Sequence, residues 1–258
     1  MDNSNLEEHN LKNYIEISRC NMSCDDIICK SIPPPLQGSK HSYFRMGVVG
    51  RSGSGKSNFV KNITEKKSLY GKKFSNVFIV SPSIHTQKIP KLPEDRFYTS
   101  LSDLPTIVNR INTEEDMEGR SLIIIDDCLS ELKQGGESMD IVKKLYFNNR
   151  HMGRPILDDD DNQIESGAIS TIITAQKFSA LPRYIRSQIT CWSIFEPSVK
   201  SELNTIYDEL IAVDKPVFNE ILRRTYKKPY NFLFIDANDS SIYNNFKSKF
   251  IVNNKQYL

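Results

Sequence analysis

Phe44-Arg45-Met46-Gly47-Val48-Val49-Gly50-Arg51-Ser52-Gly53-Ser54-Gly55-Lys56-Ser57 is the stretch from which the rest of the chain can be read. Its first half is a short apolar run, the signature of a buried strand. Its second half, Gly50 to Ser57, matches G-x-x-x-x-G-K-[ST], and the residues from Ser57 to Tyr70 read as a helix. A glycine loop between a strand and a helix lets the backbone N–H groups of Arg51, Ser52, Gly53 and Ser54 curl round phosphates. The helix N-terminus behind it adds a positive dipole. Lys56 is then expected to reach the β- and γ-phosphates and the Ser57 hydroxyl to meet magnesium. ATP with Mg2+ is the ligand this loop implies.

Seventy residues on, Leu122-Ile123-Ile124-Ile125-Asp126-Asp127 is an apolar strand that ends in two carboxylates. Asp126 is expected to hold the metal, directly or through water, and Asp127 to act as the base that orients an attacking water. The strand Ile169 to Ala175 ends at Gln176, whose amide both donates and accepts and so can touch a γ-phosphate and a water together. Arg150, after the helix that follows the acidic strand, and Arg186, in Leu181-Pro182-Arg183-Tyr184-Ile185-Arg186, are both candidates for an arginine acting on a neighbouring subunit's phosphates. The residues alone do not separate a finger from a salt-bridged surface arginine.

Around these landmarks, short apolar runs alternate with helical stretches, the pattern of βαβ units feeding a mostly parallel sheet. Expected strands are Phe44 to Val49, Asn76 to Val80, Ser121 to Asp126, Ile169 to Ala175, Thr190 to Phe195 and Asn231 to Ile235. Helices are expected over Ser57 to Tyr70, Asp103 to Asn112, Glu137 to Asn149 and Ser198 to Ala212. Residues 1–42 read as a polar arm closing with Pro33-Pro34-Pro35, and residues 43–258 as one α/β domain. Pro155 to Gly167, with its run Asp158 to Asp161, reads as a surface loop whose carboxylates repel into solvent.

The bulk composition sets outer limits. A net charge of +2 over 258 residues is not that of a dedicated nucleic-acid binder, so contacts to DNA would have to come from local runs such as Lys227-Lys228 and Arg223-Arg224. Five cysteines, an odd number, argue against a disulfide framework, and Cys20, Cys24 and Cys29 read as free thiols in the arm. No apolar run approaches the ~20 residues of a membrane-spanning helix, and the first 30 residues lack the apolar core of a signal peptide.

Five segments together resemble a known family: the loop Gly50 to Ser57, Asn-Val-Phe-Ile-Val-Ser-Pro-Ser from Asn76, Ile-Ile-Ile-Asp-Asp-Cys from Ile123, Phe-Asn-Asn-Arg-His from Phe147, and Ile-Ile-Thr-Ala-Gln-Lys-Phe-Ser-Ala-Leu-Pro from Ile172. They are similar to the genome-packaging ATPases of large eukaryotic DNA viruses and virophages, within the FtsK/HerA superfamily of DNA-pumping motors, over roughly Tyr43 to Phe246. The resemblance implies a RecA-like P-loop core with an additional strand between the P-loop strand and the Walker B strand. It also implies a homo-oligomeric ring, a pentamer or hexamer, that drives double-stranded DNA into a preformed capsid, with capsid or membrane proteins as partners at the packaging vertex. Gln176 matches the family's sensor glutamine, and the expected location is the host cytoplasm, at a viral factory, and the virion. Two departures stand out: the acidic insertion around Asp158 to Asp161, and Asp127 where the superfamily commonly carries glutamate.

Two other readings compete. A P-loop nucleoside or nucleotide kinase would need a lid with arginines and a pocket for a small acceptor. A nucleotide-gated docking module with little turnover would use the arm as its ligand for a partner.

Overall fold

Ser121-Leu122-Ile123-Ile124-Ile125 is apolar on consecutive positions, which only a strand covered on both faces tolerates, and all five residues are buried. A computed structural model builds this strand into the middle of a ten-stranded sheet; it describes residues 15–19, 35–36, 43–67, 69–71, 73–83, 92–134, 137–157, 162–165 and 167–252. In chain order the first elements are Ile15–Arg19 (β1), Arg45–Val49 (β2), Lys56–Glu65 (α1), Asn76–Val80 (β3), Phe97–Tyr98 (β4), Leu104–Thr113 (α2) and Ser121–Ile125 (β5). Leu129–Gln134 (α3), Glu137–Phe147 (α4), Ile156–Leu157 (β6), Gln163–Glu165 (β7), Ile169–Ala175 (β8), Arg183–Arg186 (α5) and Cys191–Phe195 (β9) follow. Lys200–Leu210 (α6), Lys215–Thr225 (α7), Phe232–Asp236 (β10), Ser241–Asn244 (β11) and Ser248–Val252 (β12) complete the set.

The strand order is β1-β12-β11-β10-β9-β2-β8-β5-β3-β4. From β9 to β4 every pairing is parallel; from β10 to β1 every pairing is antiparallel. The mostly parallel P-loop architecture expected from the sequence is therefore present, and β8 is the additional strand, lying between β2 and β5. Parallel register carries Val49 beside Ala175 and Ile125 beside Ile173, so the loops after β2, β8 and β5 all leave from one edge. Ligand sites of open α/β sheets form at this edge.

Each strand sends alternate residues to opposite faces. Ile123 and Ile125 pack among Leu104, Ile107, Val142, Leu145, Ile206 and Phe218, the apolar sides of α2, α4, α6 and α7. Leu122 and Ile124 point to the other face, which α1 shares with an aromatic cluster of Phe44, Phe59, Tyr70, Phe234 and Phe246. A close approach fixes the strand that feeds the loop: a Cβ on Gly47 would lie 2.3 Å from the Trp192 ring of the neighbouring β9, so only glycine fits.

The structure differs from the sequence reading in several places. α1 stops at Glu65 rather than continuing to Tyr70, because the chain turns so that buried Tyr70 packs its ring against Phe44 and its N–H donates to the Ile63 carbonyl. The helix α7 was not expected; Pro216 in its first turn and buried Val217, Phe218 and Ile221 form it. Within the arm, Ile15–Arg19 pairs antiparallel with β12 as a sheet-edge strand. The expected surface loop 155–167 carries a short antiparallel hairpin, β6 with β7, while its run Asp158 to Asp161, and Cys20, Cys24 and Cys29, lie outside the described residues. Among the described residues no helix is long and apolar enough to cross a membrane.

Candidate nucleotide-binding site

The loop from Gly50 to Ser57 leaves β2 with the Gly50 N–H donating to the Ala175 carbonyl (3.1 Å), which ties the start of the loop to the end of β8. Gly53 (φ 74°) and Gly55 (φ 101°) occupy left-handed backbone that side chains resist, and Gly55 is the residue from which α1 begins. This curl leaves the first N–H groups of α1 facing outward over the loop, the geometry that binds phosphate. Lys56 donates from Nζ to the carbonyls of Gly50 (2.5 Å) and Arg51 (3.1 Å). Burial lowers its ammonium pKa below the ordinary lysine value, and the carboxylates of Asp126 and Asp127 pull it back up.

Facing the loop across β8 are the two acids. Asp126, 9% exposed, accepts from the Thr174 hydroxyl on Oδ1 (2.7 Å) and more weakly from the Ser81 hydroxyl on Oδ2 (3.5 Å). Its N–H continues the ladder to the Val80 carbonyl (2.9 Å). Asp127 takes φ 56°, a left-handed conformation that aspartate tolerates better than most residues. Its N–H donates to the same Thr174 hydroxyl (3.2 Å), and its side chain is turned out of the sheet and exposed. One buried hydroxyl therefore holds both acids.

Lys56, Ser57, Asp126, Asp127 and Gln176 line one cleft of about 380 Å³, together with Ser52, Gly53, Gly55, Asn58, Thr174 and Tyr230. The structure thus gathers five expected residues from the ends of two strands and the start of a helix. The Ser57 hydroxyl and the Asp126 carboxylate form a small set of hard oxygen donors, which suits magnesium, an ion that keeps most of its waters and takes few protein ligands. Arg51 and Ser54 belong to the loop but line an adjoining hollow rather than this cleft.

The two candidate arginines lie elsewhere. Arg150 lines a hollow with Arg45 at the start of β2, Thr190 just before β9 and Asn238 just after β10, the sheet edge opposite the phosphate loop. It forms no ion pair among the described residues. Arg186 is held within its own chain: it pairs with Glu209 (2.6 Å), donates to the Leu181 carbonyl (2.6 Å) and covers the Phe178 ring (5.0 Å). To touch another subunit it would have to surrender those contacts. Arg223 and Arg224, read as a basic run, are both paired with Glu220.

Three residues of the cleft escaped the sequence reading: Asn58, one position past the loop motif, Thr174 and Tyr230. Thr174 carried a usable signal, a polar residue in a buried apolar strand two positions before Gln176, hence on the same side. Tyr230 carried none; it reaches the loop only because the turn before β10 brings it against Gly55, where a Cβ would lie 3.2 Å from its ring.

No protein-family model matches the chain, and no curated protein matches it. Solved structures do. The genome packaging NTPase B204 of Sulfolobus turreted icosahedral virus 2, solved with AMPPCP, is 17% identical, covering 79% of this chain and 97% of its own with a TM-score of 0.53. B204 of Sulfolobus turreted icosahedral virus, described as the DNA-packaging ATPase, is 17% identical over 80% of this chain and 97% of its own, TM-score 0.53. The pCW3 conjugation coupling protein TcpA, solved with ATPγS, is 13% identical over 90% of this chain and 67% of its own, TM-score 0.51. At such identities the likeness speaks for architecture, and with the loop, acids and strand order above it identifies the chain as a protein of the P-loop NTPase fold.

Proposed function

We propose that this chain hydrolyses ATP to drive double-stranded DNA, and that its cargo is a viral genome moved into a preformed capsid. The observation that carries the reading is the convergence of Lys56, Ser57, Asp126, Asp127 and Gln176 on one cleft at the carboxyl edge of β2, β5 and β8. A kinase does not need a glutamine and a second acid at that point; a hydrolase that must orient water does. The likeness to a protein described as a genome packaging NTPase, to one described as a DNA-packaging ATPase and to a conjugation coupling protein supports DNA as the cargo.

In this reading the loop amides and Lys56 neutralise the β- and γ-phosphates, so charge moving on to the leaving oxygen meets a fixed positive field. Ser57 and Asp126 would hold magnesium, which would supply positive charge to offset that of the phosphates. Asp127, fixed by its N–H to Thr174, accepts the proton of the attacking water, and Gln176 aligns that water with the γ-phosphate. Arg150, at the opposite sheet edge, is the arginine best able to serve a neighbouring subunit in a ring of five or six. Capsid or membrane proteins at a packaging vertex would anchor that ring, at a viral factory in the host cytoplasm and in the virion.

Steady-state ATP hydrolysis by the wild type and Lys56→Ala, with and without linear double-stranded DNA over a salt series, tests the proposal. Lys56-dependent turnover that DNA raises severalfold, with the gain lost at high salt, is expected. Turnover that ignores DNA at every salt concentration, and in an assembled ring, would refute the motor.

A further inference from the structure

The cleft that holds the phosphate machinery does not end at the loop. On its far side, across Gly55, Asn58 and Tyr230, a second cavity of about 530 Å³ opens between α1 and the starts and ends of β9, β10 and β11. Those three residues line both spaces and form the passage between them. The acids and Gln176 lie on the β5 and β8 side of β2, while the second cavity lies on the β9 and β10 side. A nucleotide with its γ-phosphate at Asp127 and its chain over the loop therefore directs its sugar and base into the second cavity.

The chemistry of that cavity fits a base. Its floor is apolar, formed by Phe59, Phe195, Phe232 and Phe246; the Phe59 ring meets the other three edge-on or tilted, with centroids 4.8 to 6.0 Å apart. Over it stands Tyr230, 71% exposed, in left-handed backbone (φ 65°) that an aromatic residue seldom adopts. An exposed aromatic ring held in strained backbone beside a phosphate loop has no packing role to explain it. Asn58 and Asn62 sit at i and i+4 on α1, so their carboxamides rise on one face along the cavity wall. A carboxamide meets adenine in a bidentate pair, donating and accepting at once. Among the described residues that line the cavity none is a carboxylate, the group that best accepts from the N1–H and N2–H donors of guanine.

We infer that this second cavity is the nucleobase subsite, that Tyr230 stacks on the base, and that Asn58 and Asn62 select adenine over guanine. The inference rests on the phosphate-site reading of the loop. The test is calorimetric binding of ATP, GTP and inorganic tripolyphosphate, each with Mg2+, to the wild type, Tyr230→Ala, Tyr230→Gly, Tyr230→Phe, Asn62→Ala and Lys56→Ala. Loss of a base–aromatic stack weakens binding by roughly 5- to 140-fold. Tyr230→Ala and Tyr230→Gly should therefore both lose ATP affinity by about tenfold or more while binding tripolyphosphate as the wild type does, and Tyr230→Phe should bind ATP normally. The glycine variant removes the ring yet suits φ 65°, so matching losses exclude backbone strain as the cause. Asn62→Ala should narrow the preference for ATP over GTP. Wild-type affinity for ATP in Tyr230→Gly, or an equal loss for tripolyphosphate, would overturn the subsite. Tripolyphosphate binding that survives Lys56→Ala unchanged would instead sink the phosphate-site reading, and a wild type indifferent between ATP and GTP would sink adenine selection alone.

Discussion

Replacing Thr174 by valine removes one hydroxyl and almost nothing else. That hydroxyl, on a residue 2% exposed, donates to Asp126 Oδ1 at 2.7 Å and accepts from the Asp127 N–H at 3.2 Å. The bond to the buried carboxylate is charge-assisted, worth about 1.5–3 kcal/mol, and the half-buried N–H left behind adds about 1 kcal/mol. A total near 3 kcal/mol lowers Tm by roughly 6–12 °C in a chain of this size. The functional cost is separate, because both acids lose the group that orients them: kcat should fall about 10- to 100-fold. Nucleotide affinity should stay within about threefold, since the loop and Lys56 are untouched. Thr174→Ser restores the hydroxyl and should recover most of kcat. Thermal melts, calorimetric binding and steady-state hydrolysis on the three proteins decide the matter. A valine variant with wild-type kcat would show that Thr174 does not position the acids; one that loses affinity as much as turnover would show that the hydroxyl supports the loop instead.

Asp127→Asn keeps the shape of the side chain and removes its basicity, so ATP binding should persist while hydrolysis drops by about 10² to 10⁴; parallel loss of both would make Asp127 a structural residue. If Arg150 serves a neighbour, Arg150→Ala mixed with Lys56→Ala should regain activity that neither has alone, because a mixed ring contains intact pairs; no recovery at any ratio counts against action between subunits. Hydrogen bonds from Arg223 and then Arg224 hold the Glu220 carboxyl at about 2, well below its ordinary 4.5. A depressed acid pKa stabilises the fold above the unfolded value and ceases to as pH falls through the folded one. The Tm gap between wild type and Glu220→Gln should accordingly be constant above about pH 5 and close between about pH 4.5 and 2, whereas a gap independent of pH would mean the pair carries no net stability.

The sheet was legible where burial on both faces forced unbroken apolar runs. Ser121 to Ile125 and Ile169 to Ala175 could be nothing but central strands, and their ends located Asp126, Asp127 and Gln176 without further information. The antiparallel half was harder to read: β11 and β12 mix Ser, Tyr, Asn and Lys with apolar residues, because an outer strand needs only one protected side. α7 was obscured by its own chemistry, since Arg223 and Arg224 draw the eye as a basic run while Val217, Phe218 and Ile221 do the packing. The site divides in the same way. The loop is one unbroken run of sequence and the acids are another, so each announces itself, whereas Tyr230 is brought to Gly55 by tertiary structure alone, and Arg186 is paired with Glu209, a partner on a different helix.

Trp192, whose ring fills the space that Gly47 leaves, is the only tryptophan of the chain. It is fully buried, lies 4.7 Å from the Phe178 ring, and its indole N–H has no hydrogen-bond partner among the described residues. The protein's tryptophan emission therefore originates at a single point on β9, insulated from water and pressed against Gly47, three residues upstream of the phosphate loop. A titration that shifts that emission reports movement of the strand beneath the loop, while one that leaves it unchanged confines the response to exposed groups such as Tyr230. The chain carries its own optical gauge, a buried ring seated against the strand that feeds the phosphate loop.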